Sequence, residues 1–237
     1  MKPNILKETF LKLGFELNET QVTQFLSYES LLVEWNKHMN LTGITDSEGI
    51  YDKHFADSLT CLLSNKVKDG DKIIDVGTGA GFPGMPLKIY NPSLKITLLD
   101  SLNKRINFLK AVAEENSLSD IDFIHGRAED FGQDLEFREQ YDIVVSRAVA
   151  ELPILLEFCT PFLKVGGYFI AQKGKKCDEE IRLAENALRT LNLEIDEVIS
   201  VETSSETKNH TLIVIKKIAP TDKKYPRRAG KPVKKPL

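Results

Sequence analysis

Apolar residues in the first quarter of the chain recur at helical spacing, whereas further on they gather into short runs broken by glycine, serine or acidic residues. Asn18 can cap a helix, with Gln21 as its capping-box partner. Val22, Phe25, Leu26, Leu32, Val33 and Trp35 then mark an apolar face up to about Lys37. Residues 40–43 break the pattern, and a second helix is predicted over about 47–64. From Lys72 the period changes. Runs at 73–76, 95–100, 121–125, 141–146 and 166–172 predict strands, with amphipathic stretches such as 102–116 between them. Ser101 stands where it could cap that stretch. Runs at 193–200 and 210–218 leave no room for a helix between them, so the sheet should end antiparallel. Strands alternating with helices predict an α/β protein: a doubly wound, mostly parallel, seven-stranded sheet.

The run KIIDVGTGAGFPG (72–84) carries the most chemistry. Ile73, Ile74 and Val76 form a buried strand with Asp75 near its end, and glycines follow at 77, 79 and 81. Such a break lets the backbone turn sharply and a ligand come close to it. Residues 79–84 also satisfy G-x-G-x-x-G with Asp100 about 20 residues on, which keeps a dinucleotide enzyme in view. Two features oppose it. The strand runs into Gly77, out of register with that fingerprint, and Asp75 would repel a pyrophosphate while attracting an ammonium. S-adenosylmethionine (SAM) has the ammonium and no phosphate, so Asp75, Gly77 and Gly79 are assigned to it. Asp100, ending the second strand, stands where a ribose diol is gripped, unless it only caps the next helix.

A chain of 237 residues can bury a sizeable core, with no stretch long enough to span a membrane and no signal-peptide pattern at its start. Cys61, Cys159 and Cys177 are scattered and the four histidines show no ligand spacing, so a cytoplasmic, metal-free protein is expected. His54 and Asp57, three apart on a helix, share a face; with no nucleophile beside them they suit a structural hydrogen bond or substrate positioning.

The net charge is −3, but residues 216–237 hold nine Lys/Arg and one acid, leaving 23 basic against 34 acidic residues over 1–215. The tail is proline-punctuated and poor in apolar residues, a composition that predicts disorder. Its cations, Lys223, Lys224, Arg227 and Arg228 among them, could grip a polyanion such as RNA or could merely solubilise the terminus. The chain thus divides into a helical extension (1–65), an α/β domain (66–218) and a basic tail (219–237).

VEWNKHMNLTGITD (33–46), KHFADSL (53–59), IDVGTGAGFPGMPLKI (74–89), LLDSLNKRINFL (98–109), GRAED (126–130), SRAVA (146–150) and QKG (172–174) occur in this order. Together they resemble the bacterial 16S ribosomal RNA guanine-N7 methyltransferase family, once called glucose-inhibited division protein B. The resemblance covers nearly the whole chain. It implies a SAM-binding doubly wound sheet with an N-terminal helical extension, and methylation of N7 of one guanine in the 530 loop of 16S rRNA. The partner would be the rRNA, the small subunit or its assembly intermediate, met by a monomer. By motif, Gly77 and Phe82 would contact SAM, Ala128 and Glu129 would frame the adenine, and Arg147 would line the site.

Guanine N7 carries a lone pair and no proton, and with O6 it presents an acceptor-only edge. No general base is needed, so orientation and electrostatics must do the catalysis. Ser146-Arg147-Ala148 lacks the acceptor-rich N/D-P-P-Y/F elbow that holds an exocyclic amine. Arg147, Lys173 and Arg127 are the candidate donors to O6 or flanking phosphates, each with an ordinary ion pair as its bland alternative. A small-molecule methyltransferase would share the sheet and leave the tail idle; a dinucleotide oxidoreductase or a ligand-sensing scaffold is more remote.

Overall fold

The computed structural model describes residues 1–147, 150–174, 177–201 and 210–237. Seven strands, β1 (Lys72–Val76), β2 (Lys95–Asp100), β3 (Ile121–His125), β4 (Tyr141–Arg147), β5 (Leu163–Lys173), β6 (Leu193–Val201) and β7 (His210–Lys217), form one sheet. Their order is β3-β2-β1-β4-β5-β7-β6. β7 is antiparallel to β5 and β6, and the other pairs are parallel. The expected doubly wound α/β architecture with an antiparallel ending is present. The order reverses between β1 and β4, and the crevice beyond the carboxyl ends of these strands is where such sheets take ligands.

Both faces are covered at the middle of the sheet, where β1, β2, β4 and β7 are buried over most of their length, while β3 and β6 at its edges are more polar. Ile73, Ile96, Leu98, Ile143 and Val145 face one core; Ile74, Val76, Leu99, Val144 and Phe169 face the other. The first core belongs equally to the N-terminal helices, α1 (Lys2–Leu11) and α2 (Glu19–Met39). Phe10, Phe25, Phe55, Tyr28 and Phe82 form a chain of ring contacts with centroids 4.9, 5.1, 4.9 and 5.8 Å apart, running from α1 to the glycine loop. Residues 1–65 therefore share a core with the sheet.

The capping box on α2 is formed: Gln21 N donates to Asn18 Oδ1 and Asn18 N to Gln21 Oε1, each at 2.9 Å. The helical stretch over 47–64 is not uniform. It runs from an α turn (Ser47–Ile50) through a wide π segment (Tyr51–Ala56) and a short α piece (Asp57–Leu59) to a tight 3-10 end (Thr60–Ser64). Such π segments inside helices frequently accompany functional sites, and this one carries His54.

The tail departs from expectation. It is ordered and laid against the second core, with Thr221, Tyr225 and Pro232 buried. Arg138, 9% exposed, donates to the carbonyls of Gly132, Thr221, Asp222 and Tyr225. Gln133 donates to the carbonyls of Lys223 and Pro226. Arg227 donates through Nε to Glu157 Oε1 at 2.8 Å and Oε2 at 3.1 Å, and through its backbone N–H at 2.7 Å. Disorder was expected because the tail lacks apolar residues; its order comes from polar anchors on distant elements.

Candidate active site

Just after β1, Gly77, Gly79 and Gly81 have φ of 73°, 61° and 101°, a region that L side chains rarely enter. Gly77 N and Thr78 N both donate to Leu99 O, at 2.9 and 3.1 Å, tying the loop to the end of β2. Tyr28 of α2 donates its hydroxyl to Ala80 O, so the N-terminal extension holds the loop as well. A Cβ at Gly81 would meet Leu109 at 2.7 Å, and one at Gly84 would meet Leu98 at 2.6 Å; at Gly79 the nearest atom is Gly77 O at 4.0 Å. Gly81 and Gly84 thus permit packing, whereas Gly79 leaves room on the open side.

Asp75 does not face that open side. It is fully buried, and Oδ2 accepts from Thr78 Oγ1 at 2.7 Å and Gly84 N at 2.9 Å. Its Oδ1 has no hydrogen-bond partner among the described residues. Burial pushes its carboxyl up to about 6, against the pull of the Thr78 and Gly84 donors and the Arg147 charge. The expected ammonium contact is corrected: Asp75 braces the loop from within.

The loop borders a cavity of about 590 Å³ at the carboxyl ends of β1 to β4. Gly77, Gly79, Phe82 and Asp100 line it, as do Arg127, Ala128, Glu129 and Arg147. Asp100 Oδ1 accepts from Leu102 N at 2.9 Å; Oδ2 accepts from Gly79 N at 2.9 Å and Arg105 Nη1 at 3.2 Å. A carboxylate has about four acceptor positions, so one remains here for a hydroxyl. Leu102 and not Ser101 occupies the cap position of the following helix (Asn103–Glu115), because Asp100 fixes the turn before it. Arg105 was not singled out from the sequence; its signal was the DSLNKR spacing, which returns it to Asp100.

At the mouth stands a network built from three distant segments. Arg147, ending β4, donates through Nη1 to Asp57 Oδ2 at 2.8 Å and to Lys53 O at 3.1 Å, and its Nη2 lies 3.2 Å from His54 Nδ1. His54 Nδ1 also lies 3.0 Å from Lys53 O, and its Nε2 shares a hydrogen bond with Thr42 Oγ1, 2.7 Å away. Asp57 Oδ1 is 3.0 Å from His210 Nδ1, whose pKa burial holds below the usual value, with Arg147 adding to that and Asp57 opposing it. Phe82 lies against both groups: the His54 ring is 4.6 Å away and nearly parallel to it, and the Arg147 guanidinium carbon is 4.8 Å from its ring centroid. His54 and Asp57 thus both contact the Arg147 guanidinium.

Lys173 is elsewhere. It is 9% exposed, donates to Ala150 O at 2.7 Å and pairs with Glu180 at 2.6 Å, joining β5 to the helix Cys177–Leu183. Its expected substrate-facing role is corrected, since its charge is taken up within the fold. Arg127 is exposed at the cavity rim, with no ion pair among the described residues. Of the tail cations, Arg227 is committed to Glu157, Lys224 pairs with Asp222 at 3.0 Å, and Lys223 and Arg228 are exposed. The tail residues that do line the cavity, Gly230 and Val233, were not anticipated. Ala148 and Val149 of the SRAVA segment lie outside the described residues.

The profile of the family described as rRNA small subunit methyltransferase G matches residues 21–211. The chain belongs to this family. It is 52% identical over 233 residues to the ribosomal RNA small subunit methyltransferase G of Alkaliphilus metalliredigens, covering 98% of each chain. It is 47% identical to that of Clostridium botulinum, covering 99% of this chain and 98% of the relative. Among solved structures, M. jannaschii TYW2 in complex with AdoMet is similar with a TM-score of 0.55 at 16% identity, over 74% of this chain and 80% of that one. Geranyl diphosphate C-methyltransferase from Streptomyces coelicolor gives 0.54 at 15%, over 69% and 76%. At such identities the likeness concerns the fold.

The residues present fit SAM. The open space at Gly79, beside Gly77 in the cavity lining, admits close approach, and Asp100 retains an acceptor for a ribose hydroxyl. The cavity lining, part apolar and part charged, suits a nucleoside joined to an amino acid.

Proposed function

We propose that this chain methylates N7 of a guanine in the 530 loop of 16S rRNA, with SAM as donor. The observation that carries this reading is Arg147, an arginine stacked on Phe82 and held by Asp57 at the mouth of a cavity that fits the cofactor. When bound, SAM supplies an electrophilic methyl carbon. The remaining work belongs to the protein. Gly77 and Gly79 admit the donor, Asp100 holds its ribose, and Ala128 with Glu129 frames its adenine. Arg147 offers donors suited to an acceptor-only guanine edge, and its fork and charge favour O6 or a neighbouring phosphate. N7 has no proton to lose, so no group in the site need act as base; holding the ring in line is sufficient. Arg127, exposed at the rim, would meet the RNA backbone around the target. A base presented this way must come from a loop or an opened strand.

The test is to incubate the protein with methyl-labelled SAM and, separately, naked 16S rRNA, precursor particles, mature 30S subunits and a small-molecule extract. Label recovered as 7-methylguanine from the 530 loop is expected, and the most efficient RNA arm identifies the substrate form. The protein would act as a cytoplasmic monomer. Label confined to the small-molecule arm would overturn the proposal and leave the alternative methyltransferase.

A further inference from the structure

The basic C-terminal segment reaches the cavity itself. Gly230 N donates to Glu129 Oε1 at 3.1 Å, and Gly230, with φ 80°, turns the chain into the short helix Lys231–Lys234. That turn brings Val233 to the cavity lining beside Ala128 and Phe158. Val233 is 58% exposed, so its side chain is open to a group entering the cavity. The segment is fixed from behind: Arg227 clamps Glu157, whose side chain is fully buried, and Pro232 is buried.

We propose that residues 219–237 form a wall of the cofactor cavity at its nucleoside end, with Val233 packing on the purine ring. This rests on the cavity being the SAM site. A purine offers apolar faces and a polar edge. Ala128, Phe158 and Val233 provide apolar surface, while Glu129, oriented by the Gly230 N–H, presents a carboxylate to an exocyclic amine. The wall also ties cofactor binding to the RNA-facing side, since the exposed cations Arg228, Lys231 and Lys234 lie on the same segment. The Arg227–Glu157 clamp is then a positioning device for the cofactor site.

Isothermal titration of the full-length protein with S-adenosylhomocysteine, and separately with adenosine, tests this without turnover. Val233→Asp puts a charge into the apolar wall at an exposed position, so the fold should be kept, as circular dichroism can verify. Both ligands should bind about tenfold more weakly, the loss expected when part of an aliphatic contact is removed. Val165→Asp, at an exposed valine on β5 outside the cavity, should bind as the parent does. If the parent binds and Val233→Asp binds equally well, the wall proposal is overturned while the cavity assignment stands. If the parent does not bind S-adenosylhomocysteine at all, the cavity assignment itself is overturned.

Discussion

Arg147 lies over the face of Phe82, its guanidinium carbon 4.8 Å from the ring centroid, and so joins the end of β4 to the glycine loop after β1. The same guanidinium holds Asp57 at 2.8 Å. Arg147→Lys keeps the charge but loses the planar stack and the fork. The expected cost to transition-state stabilisation is about 2 kcal/mol, roughly thirtyfold in kcat/KM on rRNA. S-adenosylhomocysteine affinity should change far less. An unchanged kcat/KM for Arg147→Lys would remove the residue from substrate orientation.

Gly77→Val should abolish cofactor binding. At φ 73° a β-branched side chain is strained, and here it would also intrude on the cavity. Asp100→Ala removes an acceptor for the ribose and also frees Gly79 N and Arg105, so a loss of about 1–3 kcal/mol in S-adenosylhomocysteine binding is expected. Calorimetric titration of both variants is the measurement. If Asp100→Ala lowers only the melting temperature, the carboxylate is purely a structural tie.

The sheet was legible because buried parallel strands announce themselves as apolar runs. β2 and β3 begin and end where the sequence put them, β1 starts one residue earlier at Lys72, and β5 differs by starting at Leu163, three residues ahead of the glycine pair. The glycine loop was equally plain. Helix α1 was missed because its few apolar residues, Ile5, Leu6, Phe10 and Leu11, give a weak period, and Phe10 is buried against Phe25 of α2. The tail was misjudged for a different reason. Local composition cannot report that Arg138 will collect four of the chain's carbonyls, three of them in the tail. One signal did exist. Glu157 sits in the otherwise apolar helix Leu152–Cys159, and a buried carboxylate requires a cation brought from elsewhere. Lys173 misled in the opposite direction, since its partner Glu180 stands only seven residues on.

Asp75 should give the fold a measurable pH dependence. Its carboxyl is raised from 3.8 to about 6 on folding, so the native state binds the proton more tightly than the unfolded chain. The resulting stability is fully present below about pH 4 and is lost as pH rises through about 6. A shift of about two units corresponds to roughly 3 kcal/mol. Asp75→Asn mimics the protonated form and should lack this slope. Urea unfolding of both proteins from pH 4 to pH 7 should show the gap between them widening in the variant's favour as pH rises. Parallel curves would mean that the carboxylate is accommodated without cost.

Ending the chain after Ile218 looks harmless from composition alone, because the removed residues are mostly polar. The structure reverses that expectation. The truncation strands Glu157 as a buried charge without its arginine, exposes the surface under Tyr225, and leaves the buried Arg138 without three of its four carbonyls. Breaking a buried pair from one side costs about 3–5 kcal/mol, or roughly 10 °C in melting temperature for a domain of this size. A thermal melt within a degree or two of the full-length protein would show that the anchors contribute little.

The RNA-gripping role of the tail therefore has to be tested with its anchors intact. Lys223, Arg228, Lys234 and Lys235 are exposed and without ion pairs among the described residues, whereas Arg227 is engaged. Replacing these four with alanine should leave the melting temperature and S-adenosylhomocysteine affinity unchanged, since none of them lines the cavity. Each phosphate contact on single-stranded RNA contributes about 0.7 to the slope of log affinity against log salt. If all four make contact, the slope on a 16S rRNA fragment should flatten by about 3, with the largest loss of affinity at low salt. A slope equal to that of the parent would mean that these cations only solubilise the terminus, and would leave other exposed cations, Arg127 at the cavity rim and Lys231 among them, to hold the RNA.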